Sequence, residues 1–207
     1  RGVGKTTTAR IISKAINCNK HFEHGVQQNN EVYCECDDIT KSNHIDVLEM
    51  DAASKTGVDD IRDLLESSKY HPSVAKYKVF IIDEAHMLSK QAFNALLKTL
   101  EEPPDHLKFI LATTEIKKIP ITILSRCQRF DLKRIKIEEM IKYLTDISNK
   151  EDIKIDNNAI QLVAKSSEGS VRDALSILDQ ANIINIEKDN ISAENIRKML
   201  GLADKDK

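Results

Sequence analysis

The sequence has no surplus of positive charge, no long apolar run and only four cysteines, and each shortage removes a class of function. Lys and Arg number 31 against 33 Asp and Glu, a net charge of −2, so no global positive field draws the chain to nucleic acid. Any such contact must come from a local basic surface or from a partner. No stretch approaches the ~18 uninterrupted apolar residues of a membrane span. Cys18, Cys34, Cys36 and Cys127 are unevenly spaced, and the chain opens on a functional motif, Arg1-Gly2-Val3-Gly4-Lys5, rather than on an export signal. Both facts argue against a disulfide framework and leave metal binding or plain burial for the thiols. There is no internal repeat and no low-complexity tract.

What is present is ordinary for a folded chain. The 207 residues, 41% hydrophobic and 31% charged, suffice for one large or two small domains with real cores. Apolar spacing predicts a helix over 5–16, with Ala9, Ile11, Ile12 and Ile16 on or near one face. Residues 18–42 are polar, irregular and cysteine-bearing, and read as an insertion. A short strand over 45–50 precedes a helix over 58–68, where Thr56 and Asp59 fit a capping box. The run Lys78-Val79-Phe80-Ile81-Ile82 reads as a buried parallel strand. A helix over 90–101 is stopped by Pro103-Pro104. Further strands are predicted at 109–112 and 128–132. Alternating strands and helices imply an α/β fold with a parallel sheet covered on both faces. From residue 136 the pattern turns wholly helical, with helices predicted over 137–148, 157–166, 170–183 and 192–200.

Gly2-Val3-Gly4-Lys5-Thr6-Thr7 matches the end of a phosphate-binding P-loop, whose first glycine would lie before residue 1. A chain that starts on Arg rather than Met is expected to continue upstream. Gly2 and Gly4 let the backbone wrap phosphates, and free N–H groups at the helix start face the anion. Lys5 would put a point charge on the β- and γ-phosphates, and the Thr6 hydroxyl would ligate Mg2+. Gly-Lys-Thr also occurs by chance in loops. The acids Asp83 and Glu84, directly after an apolar strand, decide against chance. Asp83 would hold Mg2+ through water and Glu84 would polarise an attacking water.

Asp83-Glu84-Ala85-His86-Met87-Leu88, then Phe93 through Pro104, then Ala112-Thr113-Thr114-Glu115, Ser125-Arg126-Cys127 and Gly169-Ser170-Val171-Arg172-Asp173-Ala174, resemble the bacterial clamp-loader branch of the AAA+ ATPases. The likeness runs through nearly the whole chain in order. It implies a P-loop AAA+ core over 1–135 whose first strand precedes Gly2, a cysteine insertion at 18–42, and a helical lid domain over 136–203. It makes Thr114 a sensor of the γ-phosphate, where spacing alone would allow an ordinary strand-end threonine. It makes Arg126 an arginine finger reaching a neighbour's site, and Arg172 a second nucleotide sensor. ATP and Mg2+ are the implied cofactors. The implied partners are delta and delta-prime subunits, further motor copies like itself, the sliding clamp and primed DNA, in a cytoplasmic hetero-oligomer with no membrane contact.

Two rivals share the fold: a delta-prime-type subunit, which typically lacks a working P-loop, and a Holliday-junction motor, which lacks this combination of cysteine knuckle and Ser-Arg-Cys. A non-hydrolysing structural subunit would not need Lys5, Thr6, Asp83, Glu84 and Arg126 together. No trio of carboxylates suits two-metal nucleotidyl transfer, so a polymerase or nucleotidyltransferase label would describe the holoenzyme, with this chain as its motor. In motor relatives a zinc module follows the first helix as one Cys and then C-x2-C-x2-C. Here Cys18 fits the first position, but Cys34-Glu35-Cys36 is C-x-C. Cys18, Cys34 and Cys36 supply three of the four ligands that Zn2+ wants, with His21, His24 or Asp37 as the fourth. The competing reading is a knuckle that folds without metal.

Overall fold

Lys78–Asp83 forms β2, the middle strand of a three-stranded parallel sheet of order β1-β2-β3, with β1 at Val47–Asp51 and β3 at Leu107–Leu111. Val79, Phe80, Ile81 and Ile82 are wholly buried. A strand covered on both faces has no polar alternation, which is why this run is continuously apolar. The computed structural model describes residues 2–18, 36–55, 57–184 and 190–201. They divide into two units, residues 5–130 and residues 131–201 together with 2–4.

In the first unit, successive side chains of β2 feed opposite layers. Val79 and Ile81 pack with Val47, with Ala9 of α1 (Lys5–Asn17) and with Ile39 of α2 (Cys36–Thr40). Ile82 and Met50 pack with Ile61 of α3 (Val58–Ser68), Phe93 and Leu96 of α4 (Lys90–Glu101) and Ile123 of α5 (Ile121–Leu124). Truncating a core side chain such as Ile82 to alanine would cost about 2–5 kcal/mol. The Ser89 Oγ caps α4 by accepting from the Ala92 N–H at 3.1 Å. Asn17 ties the end of α1 to the approach to β2, accepting from the Tyr77 N–H at 2.8 Å and donating to the Tyr77 carbonyl at 3.1 Å.

Register fixes where the functional loops emerge. Asp51 pairs with Asp83, and Ile82 with Leu111, so the carboxyl ends of the three strands finish along one edge. Past the sheet, the Ala85 N–H donates to the Ala112 carbonyl at 2.9 Å and keeps the two exit loops together.

The second unit is helical: α6 (Ile137–Lys150), α7 (Asn157–Ser166), α8 (Val171–Ile184) and α9 (Ala193–Met199). Met140, Leu144, Ile160, Val163, Ala174, Leu178 and Ile196 build its core. A parallel bridge joins Ile155 and Ile191.

Several expectations are corrected. Residues 128–132 form no strand, and Phe130 and Leu132 are 73% and 43% exposed. An alternating pattern favours extended backbone but supplies no neighbour to hydrogen-bond with, and a strand exists only when paired. β1 starts at Val47 rather than Ile45, which is 63% exposed. Helix α3 has Gly57 at its N-cap position; Thr56, one half of the expected capping box, lies outside the described residues. Within the cysteine insertion, Cys36–Thr40 is helical. Cys34, His21 and His24 lie outside the described residues.

Candidate nucleotide site

The first helix begins at Lys5 with Lys5, Thr6 and Thr7 in its opening turn and no acid there. Its first N–H groups have no intrahelical acceptor, and together with the helix dipole they favour an anion. The two glycines just upstream are both left-handed, Gly2 with φ 69 and Gly4 with φ 83, a conformation glycine reaches at little cost. Gly2 is also crowded: a Cβ there would lie 2.0 Å from the Ser170 Oγ. Its carbonyl accepts from the Val171 N–H at 3.1 Å, at the start of α8. Val3 lies between the glycines. Arg172 is exposed in the first turn of α8, with its own N–H 3.5 Å from the same Gly2 carbonyl.

Within the first unit, the carboxyl end of β2 meets the start of α1. The Thr6 Oγ1 donates to the Asp83 Oδ2 at 2.5 Å. The Lys5 Nζ lies 3.4 Å from the Glu84 Oε1. The Thr114 Oγ1, from the loop after β3, donates to the Glu84 Oε2 at 3.1 Å. Glu84 holds left-handed backbone, φ 46 and ψ 41, which costs a residue with a side chain about 1 kcal/mol or more. Its N–H donates to the Asp83 Oδ1 at 2.8 Å, which helps to hold that turn. The sheet thus brings together Lys5, Thr6, Asp83, Glu84 and Thr114 from three separate segments.

Two supports were not foreseen. The Arg10 guanidinium, further along α1, grips the Glu49 carboxylate of β1 twice, at 2.8 and 2.9 Å, and donates to the Thr40 carbonyl at 3.2 Å. This bidentate bond raises Arg10 above its ordinary pKa and holds Glu49 below the usual carboxylate range, against the opposing effect of burial. It pins the helix that carries Lys5 and Thr6 to the sheet. The second is His86, whose ring lies between Glu84 and Glu115. Its signal was present in the Asp-Glu-Ala-His run, whereas Arg10 and Glu49 stand 39 residues apart and have no local signature.

Arg126 makes its contacts elsewhere in the first unit. Its guanidinium donates to the Thr122 carbonyl at 2.6 Å, to the Ser125 Oγ at 3.3 Å and to the Glu101 Oε1 at 2.5 Å. The neighbouring Cys127 is half-buried against the α3–α4 core, and burial pushes its thiol pKa up. Among the described residues no group of three His, Cys, Asp or Glu is placed to hold a metal ion. The zinc expectation therefore finds no support in the described part of the insertion, and Cys34 lies outside it.

Comparisons with known proteins agree with one another. The family described as "DNA polymerase III, delta subunit" matches residues 1–136, and the family described as "DNA polymerase III clamp loader subunit, ATPase lid domain" matches residues 139–184. The DNA polymerase III subunit tau of Escherichia coli K12 is 47% identical over the whole of this chain and 31% of its own length. The subunit tau of Bacillus subtilis 168 is 51% identical over 87% of this chain and 32% of its own. The subunit gamma of Buchnera aphidicola subsp. Baizongia pistaciae is 46% identical over 98% of this chain and 53% of its own. The chain thus spans between 31% and 53% of the length of these curated relatives. Among solved structures, the Thermotoga maritima RuvB Holliday junction branch migration motor superposes with TM-score 0.66 over 98% of this chain and 59% of its own. At 18% identity that likeness shows a shared fold alone.

Proposed function

The chain belongs to the family of DNA polymerase III clamp-loader subunits, and on that premise we propose that it is the ATP-hydrolysing motor of a gamma/tau-type subunit. The observation that carries the reading is the meeting of Lys5 and Thr6 with Asp83, Glu84 and Thr114 at the carboxyl edge of a parallel sheet. Ligands of open α/β sheets bind at that edge.

The donor set fits ATP and Mg2+. The amides of residues 2–7, including Gly2, Val3, Gly4 and Thr7, cradle phosphate oxygens, and Lys5 exchanges its Glu84 carboxylate for the β- and γ-phosphates. Thr6 and Asp83, already hydrogen-bonded to each other, would hold Mg2+, Asp83 through water, and the ion would supply charge neutralisation on the phosphates. Glu84, released from Lys5, accepts a hydrogen bond from the attacking water, and Thr114 holds the other Glu84 oxygen. Arg126 acts on a neighbour's site, where a guanidinium stabilises the charge of the departing phosphoryl group. Arg172 is assigned the second sensing role. In this reading residues 1–135 form the ATPase core and 136–203 the lid.

The proposed setting is a cytoplasmic clamp loader with delta, delta-prime and further gamma/tau copies, which opens the sliding clamp and places it on primed DNA. Head-to-tail contacts between protomers follow from a site completed by a neighbour's arginine. Cys18, Cys34 and Cys36 would supply three ligands of a tetrahedral zinc set, with His21, His24 or Asp37 as the fourth; elemental analysis of the full-length protein separates one zinc per chain from a knuckle that folds without it.

The test is ATP binding and turnover by the full-length protein assembled with its partner subunits. Lys5→Ala should weaken ATP binding by roughly 10–100-fold, the loss of one or more charge-assisted hydrogen bonds. Unchanged affinity and turnover in that variant would overturn the reading.

A further inference from the structure

Glu84 needs one carboxylate oxygen aimed at water, and Thr114 alone is a weak anchor, since its side chain is exposed. The structure provides a second hold. The His86 side chain is only 7% exposed, and its Nδ1 lies 3.4 Å from the Glu84 Oε2, the oxygen that Thr114 also binds. Nδ1 is hydrogen-bonded to the Thr113 Oγ1 at 3.1 Å, and that oxygen accepts the Glu115 N–H at 3.0 Å. On the far side of the ring, Nε2 lies 3.5 Å from the Glu115 Oε1. Glu115 is in turn held by Lys118 at 2.9 Å. The imidazole therefore spans two carboxylates, with one nitrogen toward each.

We propose that His86 is the positioning residue for Glu84: it fixes Oε2 against the loop after β3, so that Oε1 alone is free to face the reacting water once Lys5 leaves. This rests on the ATPase reading above. His86 touches neither phosphate nor metal in this scheme and acts only through Glu84. Glu115 serves as its outer anchor, so that the ring cannot swing out of the Glu84 contact. A misplacement of a reacting group by about 1 Å costs on the order of 10²-fold in rate, which sets the scale of the effect.

The experiment measures ATP affinity and single-turnover hydrolysis in the fully assembled complex for His86→Ala, His86→Asn and His86→Gln, each with Glu84 intact and in the Glu84→Gln background. His86→Ala should lower turnover about 10–100-fold and leave ATP affinity within about twofold. His86→Asn keeps an amide where Nδ1 stands and should recover more turnover than His86→Gln, whose amide reaches only toward Glu115. With Glu84 already replaced, none of the three should lower hydrolysis further. Equal losses with and without Glu84, a loss of affinity matching the loss of turnover, or no change on substitution would each overturn the inference. If His86→Ala does not fold, His86→Asn against His86→Gln and the exposed Glu115→Gln carry the same comparison. A wild-type complex that binds no ATP would instead defeat the ATPase reading, so the two failures are distinguishable.

Discussion

Arg126 is folded onto its own subunit, its Nη2 2.5 Å from the Glu101 Oε1 at the end of α4. A finger that serves a neighbour must let go of that carboxylate. The pair is partly exposed, so its release costs only about 0.2–1 kcal/mol, far less than the rate gain a guanidinium brings to phosphoryl transfer. Arg126→Ala should keep its ATP affinity and lose stimulated hydrolysis on the order of 10³-fold in the assembled complex with clamp and primed DNA. Glu101→Ala should raise the same turnover by up to about fivefold. Wild-type turnover by the Arg126 variant would remove the finger from the scheme.

The Lys5–Glu84 pair makes a second prediction, of opposite sign for binding and for chemistry. The amine that would hold phosphate rests on the carboxylate that would polarise water, at 3.4 Å and partly buried. Nucleotide binding must break this contact. Glu84→Gln removes the charge and should tighten ATP binding by up to about fivefold while hydrolysis falls to a small residual rate. Equilibrium titration with ATP and Mg2+, alongside a turnover assay, checks both halves. Weaker binding, or turnover that stays at the wild-type rate, would count against the assignment.

How much of this was readable from residues alone depends on how far each feature reaches along the chain. Helices α3, α4 and α7 occupy the spans that periodicity predicts, because spacing and stop signals such as Pro103-Pro104 are local. The motifs that carry Lys5, Thr6, Asp83 and Glu84 are likewise short and contiguous, and the structure brings these side chains together. The failed strand at 128–132 and the shifted start of β1 turn on pairing and exposure, which a one-dimensional pattern does not carry. The Arg10–Glu49 clamp and the His86–Glu115 contact arise only when α1 lies on the sheet and two exit loops converge.

Asp46 offers a prediction about stability rather than catalysis. It is almost wholly buried just before β1, and its carboxylate accepts the N–H groups of Ser73, Val74 and Ala75 at 2.8–2.9 Å. Burial works to raise its pKa, but those three bonds and the nearby His44 outweigh burial and hold the group below the usual carboxylate range. A depressed folded value means that the carboxylate stabilises the fold above its unfolded pKa of about 3.9, and that this support is lost as pH falls through the lower folded value. Asp46→Asn keeps the shape but gives up the charge-assisted bonds, and should cost about 1–3 kcal/mol at pH 7. Urea unfolding of the two proteins should show that gap unchanged between pH 7 and pH 5 and narrowing below about pH 4, as the wild type loses the charge the variant never had. A gap that persists unaltered into acid would mean that the loop at 73–75 is held by packing and not by the ionised carboxylate.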